Sequence, residues 1–122
     1  MARTPWKNIR RTGRWYQVHA IWAESESFRD LRPVARCLLH ELLLINNPGI
    51  NGDLNMDVRT AAKRVGCSKT SAAKAFNELI DHGFLALIEE SSWINGRARA
   101  FRLTMMQVGN RKPSDEWAAW KK

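Results

Sequence analysis

Apolar residues recur every three to four positions between residues 34 and 45, the spacing that places side chains on one face of an α-helix. Pro33 precedes this run and suits the first turn of a helix, where a backbone N–H has no intrahelical partner to lose. The Asn-Asn-Pro-Gly sequence at 46–49 is typical of a helix end. We therefore predict a helix over 33–45, followed by a loop. Cys37 falls on the apolar face, so we expect its thiol in the core.

Two further helices are predicted, joined by a tight turn. Asp57 suits the N-cap of a helix over 58–65, because its side-chain oxygen can accept a hydrogen bond from an N–H of the first turn. Gly66 suits the left-handed position that ends such a helix. Ser68 is expected to cap the next helix, which runs to about His82.

Beyond this helix the sequence has the signals of a β-hairpin. Residues 84–88 are rich in apolar side chains and indicate a strand, and residues 97–104 alternate and indicate a returning strand. The Asn-Gly pair at 95–96 lies between them and is a strong signal for a hairpin turn.

The two ends of the chain have less definite patterns. Residues 1–14 contain five bases and no acid, and we expect a flexible arm. Residues 15–28 are compatible with a short strand or a helix. Near the other end, Ser114 is expected to cap a short helix that carries Trp117 and Trp120. We expect these two side chains to dock on the body of the protein or on a partner.

The charge of the chain indicates a class of partner. The 122 residues include 20 Lys and Arg against 12 Asp and Glu, a net charge of +8. Such an excess favours a polyanionic partner, with nucleic acid ahead of an anionic membrane surface. Bases gather in residues 1–22, 58–80 and 97–122, and acids predominate between them. We expect the positive charge on one face or in tails, although an evenly basic surface is the alternative.

The order of helix, helix, tight turn, helix and hairpin resembles the winged helix-turn-helix DNA-binding domain. The resemblance is carried by AAKRVGCSKTS at 61–71, Asn-Glu-Leu at 77–79 and Gly-Phe-Leu at 83–85. The close of the hairpin and the Trp-bearing tail also resemble small bacterial winged-helix proteins of phage or plasmid type.

The resemblance implies a mainly α fold with a small β-hairpin and with extensions at both ends. We expect residues 31–104 to form the winged helix-turn-helix domain. Residues 1–30 would then be a basic arm and lead-in segment, and residues 105–122 a C-terminal tail with a short helix.

Helix 68–81 would be the element that reads DNA. At 100° per residue its apolar side chains fall on one face, and the other face has cations, small residues and no carboxylate. Such a face can enter the major groove, although any amphipathic helix has a solvated polar face. We predict three groups of DNA contacts: Ser68, Lys69, Thr70, Ser71, Ala73, Lys74 and Asn77 in the helix, Asn95, Arg97 and Arg99 in the hairpin, and Arg10, Arg11 and Arg14 in the arm.

These features predict sequence-specific binding of double-stranded DNA by a transcriptional regulator of a bacterium or mobile element. We expect a homodimer in the cytoplasm, associated with the nucleoid. A replication or recombination accessory factor would recognise bases in the groove in the same way, so this function remains an alternative. So does a protein-interaction module built on the same fold, whereas RNA binding would call for exposed aromatic residues on a sheet.

Catalysis, metal binding and membrane insertion find no support in the sequence. The three histidines have no identifiable nucleophile partner, and the two cysteines, Cys37 and Cys67, lack the spacing of a zinc site. No apolar run reaches the 18 or so residues of a membrane span, and the first residues lack a signal-peptide pattern. We therefore expect no enzyme activity, no cofactor and no small-molecule ligand.

Overall fold

The computed structural model describes residues 15–46, 54–89, 100–107 and 112–122. Their elements, in chain order, are α1 (Ala20–Ala23), α2 (Glu26–Asp30), α3 (Pro33–Ile45), β1 (Leu54–Asn55), α4 (Val58–Val65), α5 (Lys69–Asp81), β2 (Leu85–Glu89), β3 (Ala100–Leu103) and a C-terminal 3₁₀ helix (Glu116–Ala119). The fold is therefore mainly helical with a small antiparallel sheet, as predicted.

The caps predicted for α4 and α5 are confirmed. Asp57 accepts a hydrogen bond from the backbone N–H of Thr60 at 2.6 Å, and Ser68 accepts one from Ser71 at 3.1 Å. Gly66 ends α4 with a φ of +83°, in the left-handed region. Local side-chain chemistry thus sets the limits of both helices.

The sheet has three strands in the order β1-β3-β2, with both neighbours antiparallel to β3. Leu54 lies opposite Phe101, and Leu85 lies opposite Leu103. The strands predicted on either side of the hairpin are confirmed, whereas their turn at 95–96 lies outside the described residues. Strand β1 was not predicted, because two residues show no alternation and their partner strand lies far along the chain.

The core lies between the three longer helices and this sheet. Leu38 and Leu42 of α3, and Phe76 and Leu79 of α5, have no exposed side-chain surface. The ring of Phe76 stacks on that of Phe101 in β3, with centroids 5.3 Å apart and planes 12° apart. Helix α5 is therefore fixed to the sheet through its apolar face.

Both chain extensions pack on Phe84, which is fully buried. Trp22 of α1 and Phe28 of α2 meet its ring edge to face, at centroid distances of 6.2 and 6.0 Å. Trp117 of the 3₁₀ helix is nearly parallel to it at 6.3 Å. In residues 15–28, left open between strand and helix, the structure has α1 and the start of α2, and no strand. The division of the chain at residues 30 and 104 stays a prediction.

Two predictions about side chains were wrong. Cys37 is exposed rather than buried, because its neighbours one turn further along α3 are His40 and Glu41, which place it on the polar side of the helix. Ser114 does not cap the last helix. Asp115, in a left-handed conformation, takes the capping position instead, and the Ser114 hydroxyl accepts a hydrogen bond from Arg102.

Candidate nucleic-acid interface

The turn between α4 and α5 is built from backbone hydrogen bonds around one glycine. The N–H groups of Gly66 and Cys67 both donate to the carbonyl of Ala62, at 2.8 and 3.0 Å. Their shared acceptor closes α4 and reverses the chain within two residues. Ala62 and Ala72 are buried where α4 and α5 meet, and their small side chains allow the two helices to approach closely.

Helix α5 exposes the polar face that the sequence predicts. Its buried residues are Ala72, Ala75, Phe76 and Leu79. Lys69, Thr70, Lys74 and Asn77 are exposed, while Ser71 and Ala73 are partly exposed. At 1.5 Å per residue, the exposed row from Lys69 to Asn77 is about 12 Å long. At roughly 3.4 Å per base pair, it spans about three to four base pairs.

The serine hydroxyls at the start of α5 are used within the helix. The Ser68 hydroxyl, which accepts from the Ser71 backbone, also donates to the Ser71 hydroxyl at 3.0 Å. Ser68 is thus a structural cap, whatever else it contacts. Its role keeps the first turn of α5 closed and the N–H groups of that turn directed outward.

Helix α4 adds cations that the predicted contacts do not include. Arg59 and Lys63 are exposed and four residues apart, so they lie on the same side of the helix. Hydrogen bonds from Thr60 hold the pKa of Asp57 below its usual value against the opposing effect of burial, and the charges of Arg59 and Lys63 lower it further. Arg64, by contrast, pairs with Glu41 of α3 at 3.5 Å. The i, i+4 spacing of Arg59 and Lys63 was the signal available in the sequence.

The C-terminal end of α5 is anchored to the helices that precede it in the chain. Glu78 accepts a hydrogen bond from the backbone N–H of Arg32 at 2.5 Å, directly before α3. The Ser27 hydroxyl of α2 donates to the His82 carbonyl at 2.6 Å. These contacts fix the angle at which α5 leaves the body of the protein.

A polar cluster of Asp30, His82, Trp120 and Lys122 completes this anchor. His82 Nε2 lies 2.8 Å from Asp30 Oδ2, and Lys122 Nζ lies 3.5 Å from Asp30 Oδ1. Trp120 stacks on the His82 ring at 4.4 Å. With Trp117 on Phe84, this confirms that the two tail tryptophans dock on the body. The hydrogen bond from His82 lowers the pKa of Asp30, burial opposes it, and Lys122 adds to the lowering.

The remaining predicted contacts lie outside the described residues. These are Asn95, Arg97 and Arg99 of the hairpin and Arg10, Arg11 and Arg14 of the arm. They stay predictions.

Within the described ranges, no group of three His, Cys, Asp or Glu side chains is placed to hold a metal ion. The helices of those ranges are also too short or too polar to cross a membrane.

Comparison with known protein families gives a match to the central part of this chain. Residues 29–85 match the family model described as a helix-turn-helix domain. The match includes α3, α4 and α5, together with the turn at Gly66. Curated proteins and solved structures give no significant match. Residues 29–85 are therefore similar to helix-turn-helix domains.

Proposed function

We propose that this chain binds double-stranded DNA sequence-specifically and acts as a transcriptional regulator. A helix-turn-helix domain suggests DNA binding. The main support for sequence-specific binding is the exposed face of α5. This face combines Lys69, Lys74 and Asn77, and it has no carboxylate between residues 69 and 77. A carboxylate there would repel the phosphates on either side of the groove, so its absence favours DNA over a basic partner.

Some of the exposed residues would contact bases, and others would contact phosphates. The amide of Asn77 can pair with the edge of adenine, and Lys74 can donate to guanine, so these two side chains would discriminate between bases. Lys69, Arg59 and Lys63 would contact phosphates, which fixes position without reading sequence. The tip of the hairpin, residues 91–99, would lie on the backbone or in the minor groove.

A single copy would read a short site. The exposed row of α5 spans about three to four base pairs, which is too few to specify one site in a genome. A homodimer on two half-sites would double this number. With DNA as its partner, the protein would act in the cytoplasm at the nucleoid.

We expect base-reading and phosphate-contacting variants to differ in their effect on specificity. A selection from random duplexes supplies the preferred site, and binding is then measured on that site and on a scrambled duplex. Lys74→Ala and Asn77→Ala should weaken the preferred site by about 1–3 kcal/mol for a bidentate contact and leave the scrambled duplex nearly unchanged. Lys63→Ala should weaken both duplexes alike.

Lys112→Ala is the matched control, because it removes one exposed lysine outside the helix-turn-helix segment. It should change neither affinity by as much as Lys63→Ala. Equal losses on both duplexes for Lys74→Ala and Asn77→Ala would show that α5 is not the reading element. A wild-type chain that binds no duplex at low salt would favour the protein-interaction module.

A further inference from the structure

The segment that leads into α1 exposes large apolar side chains. Trp15 is 77% exposed and Ile21 is 75% exposed. Tyr16 anchors the segment to α3, because its hydroxyl hydrogen-bonds His40 and the two rings meet edge to face at 5.6 Å. Exposed apolar surface held in a fixed position is characteristic of an interaction site.

Trp15 is one of the residues that line a groove, which the sequence does not predict. The groove has a volume of about 360 Å³, and its apolar lining includes Leu43, Leu44, Met105 and Met106. A cavity of about 150 Å³ already accommodates benzene, so this groove has room for an indole ring. Methionine side chains adapt to the shape of an inserted group.

The described part of this surface has no charged side chain, although the chain is strongly basic. Neither the segment from residue 15 to residue 21 nor the described lining of the groove includes Lys, Arg, Asp or Glu. Two copies of a chain with net charge +8 repel each other over most of their surfaces. A neutral apolar face is where that repulsion is weakest and where burial of apolar surface can overcome it.

We propose that a second copy of this chain docks here, with Trp15 of each copy seated in the groove of the other. A two-fold interface requires one surface to carry both the projection and the recess that receives it, and this surface has both. The inference rests on the proposed function in one respect, since the dimer would present two α5 helices to two half-sites.

The area available is that of a weak dimer. A tryptophan side chain offers up to about 250 Å², so Trp15 at its observed exposure would bury on the order of 200 Å². Each seated ring also covers a comparable area of the groove wall, to which the exposed Leu44 belongs. The two reciprocal contacts then bury roughly 800 Å², below the roughly 1,000 Å² at which stable interfaces begin. We therefore expect a dimer that forms as the protein concentration rises.

The test is the mass of the full chain in solution as a function of concentration. In sedimentation equilibrium, the mass of wild type should rise from the 14.0 kDa of one chain toward twice that value as the concentration rises. Trp15→Ser should weaken association at least tenfold, because a buried Trp at the centre of an interface is typically worth more than 1.4 kcal/mol. Leu44→Ser should weaken it in the same direction. Ile88→Ser, which changes another exposed apolar residue, on β2, should leave the dimer intact.

The circular dichroism spectrum and melting temperature of Trp15→Ser distinguish loss of a dimer contact from loss of packing within one chain. An unchanged helical spectrum with a lower mass supports the dimer. A wild-type chain that stays monomeric up to millimolar concentration would overturn the proposal. So would a monomer that Trp15→Ser destabilises at every concentration, since the groove would then be filled within one chain.

DNA binding is measured separately, on a single half-site. Trp15→Ser should bind the half-site as wild type does and lose only its advantage on a paired site. A dimer that binds no duplex would refute the proposed function and leave the interface standing.

Discussion

Gly66 and Gly83 have the same backbone conformation in different surroundings. Their φ angles are +83° and +84°. A Cβ added at Gly66 would meet nothing within 4 Å, whereas one at Gly83 would lie 2.6 Å from the backbone N of Trp117 and 2.7 Å from the carbonyl of Glu116. The pair therefore separates the cost of a left-handed backbone from the cost of a steric clash.

We expect Gly66→Ala to lower the free energy of unfolding by about 1–2 kcal/mol, the cost of a left-handed conformation for a residue with a Cβ. Gly83→Ala should lower it by about 1–3 kcal/mol more, because the 3₁₀ helix must move away from the new methyl group. Urea unfolding of both variants beside wild type measures the difference. Equal losses would contradict the close approach of the tail to Gly83.

At the scale of the element, the carboxyl end of α5 gains stability from an ionised Asp30. The His82 hydrogen bond holds the pKa of Asp30 in the folded state below its value in the unfolded chain, which is about 3.9. The ionised carboxylate therefore favours the folded state at pH values above that figure. Its contribution is lost as the pH falls through the lowered pKa.

We expect Asp30→Asn to be less stable than wild type at neutral pH and to approach it as the solution is acidified. Urea unfolding at a series of pH values from 7 to 2 measures the gap. Asp81→Asn serves as the control, because it removes an exposed carboxyl from the end of α5, next to the histidine that Asp30 contacts. A gap for Asp30→Asn that does not narrow in acid would refute the role of the carboxylate.

The elements differ in how far the sequence predicts them. The limits of α4 and α5 depend on Asp57, Gly66 and Ser68, whose partners lie within a few residues, so local chemistry suffices. Strand β1 depends on a partner strand distant in sequence, which periodicity does not reveal. The exposure of Cys37, by contrast, agrees with its polar neighbours one turn away on α3. The candidate site follows the same division: the exposed face of α5 was predictable, whereas the groove beside Trp15 exists only because separate segments meet.

At the scale of the whole molecule, the net charge of +8 should make the proposed DNA binding sensitive to salt. Should a dimer neutralise about 6–10 phosphates, its affinity would fall by about 10³–10⁵ between 50 and 200 mM salt. Residues 1–14 supply five of the bases and no acid.

We expect deletion of residues 1–14 to weaken duplex binding and to reduce the slope of affinity against salt, because fewer counterions are released. The melting temperature should change little, since the arm has no apolar periodicity with which to join a core. Fluorescence anisotropy at several salt concentrations, together with thermal melting, measures both. An unchanged slope would exclude the arm from the interface, and a large fall in melting temperature would place it in the core.

The anchoring of α5 has a consequence for the DNA itself. The helix is tied to α3 through Glu78, to α2 through the His82 carbonyl and to the sheet through Phe76. Its orientation is thus settled when the protein folds, and little conformational entropy is left to lose on binding. Because the orientation of α5 is fixed, a bound duplex would have to bend and twist to fit the helix. Flexible base steps that no side chain touches would then contribute to the choice of site.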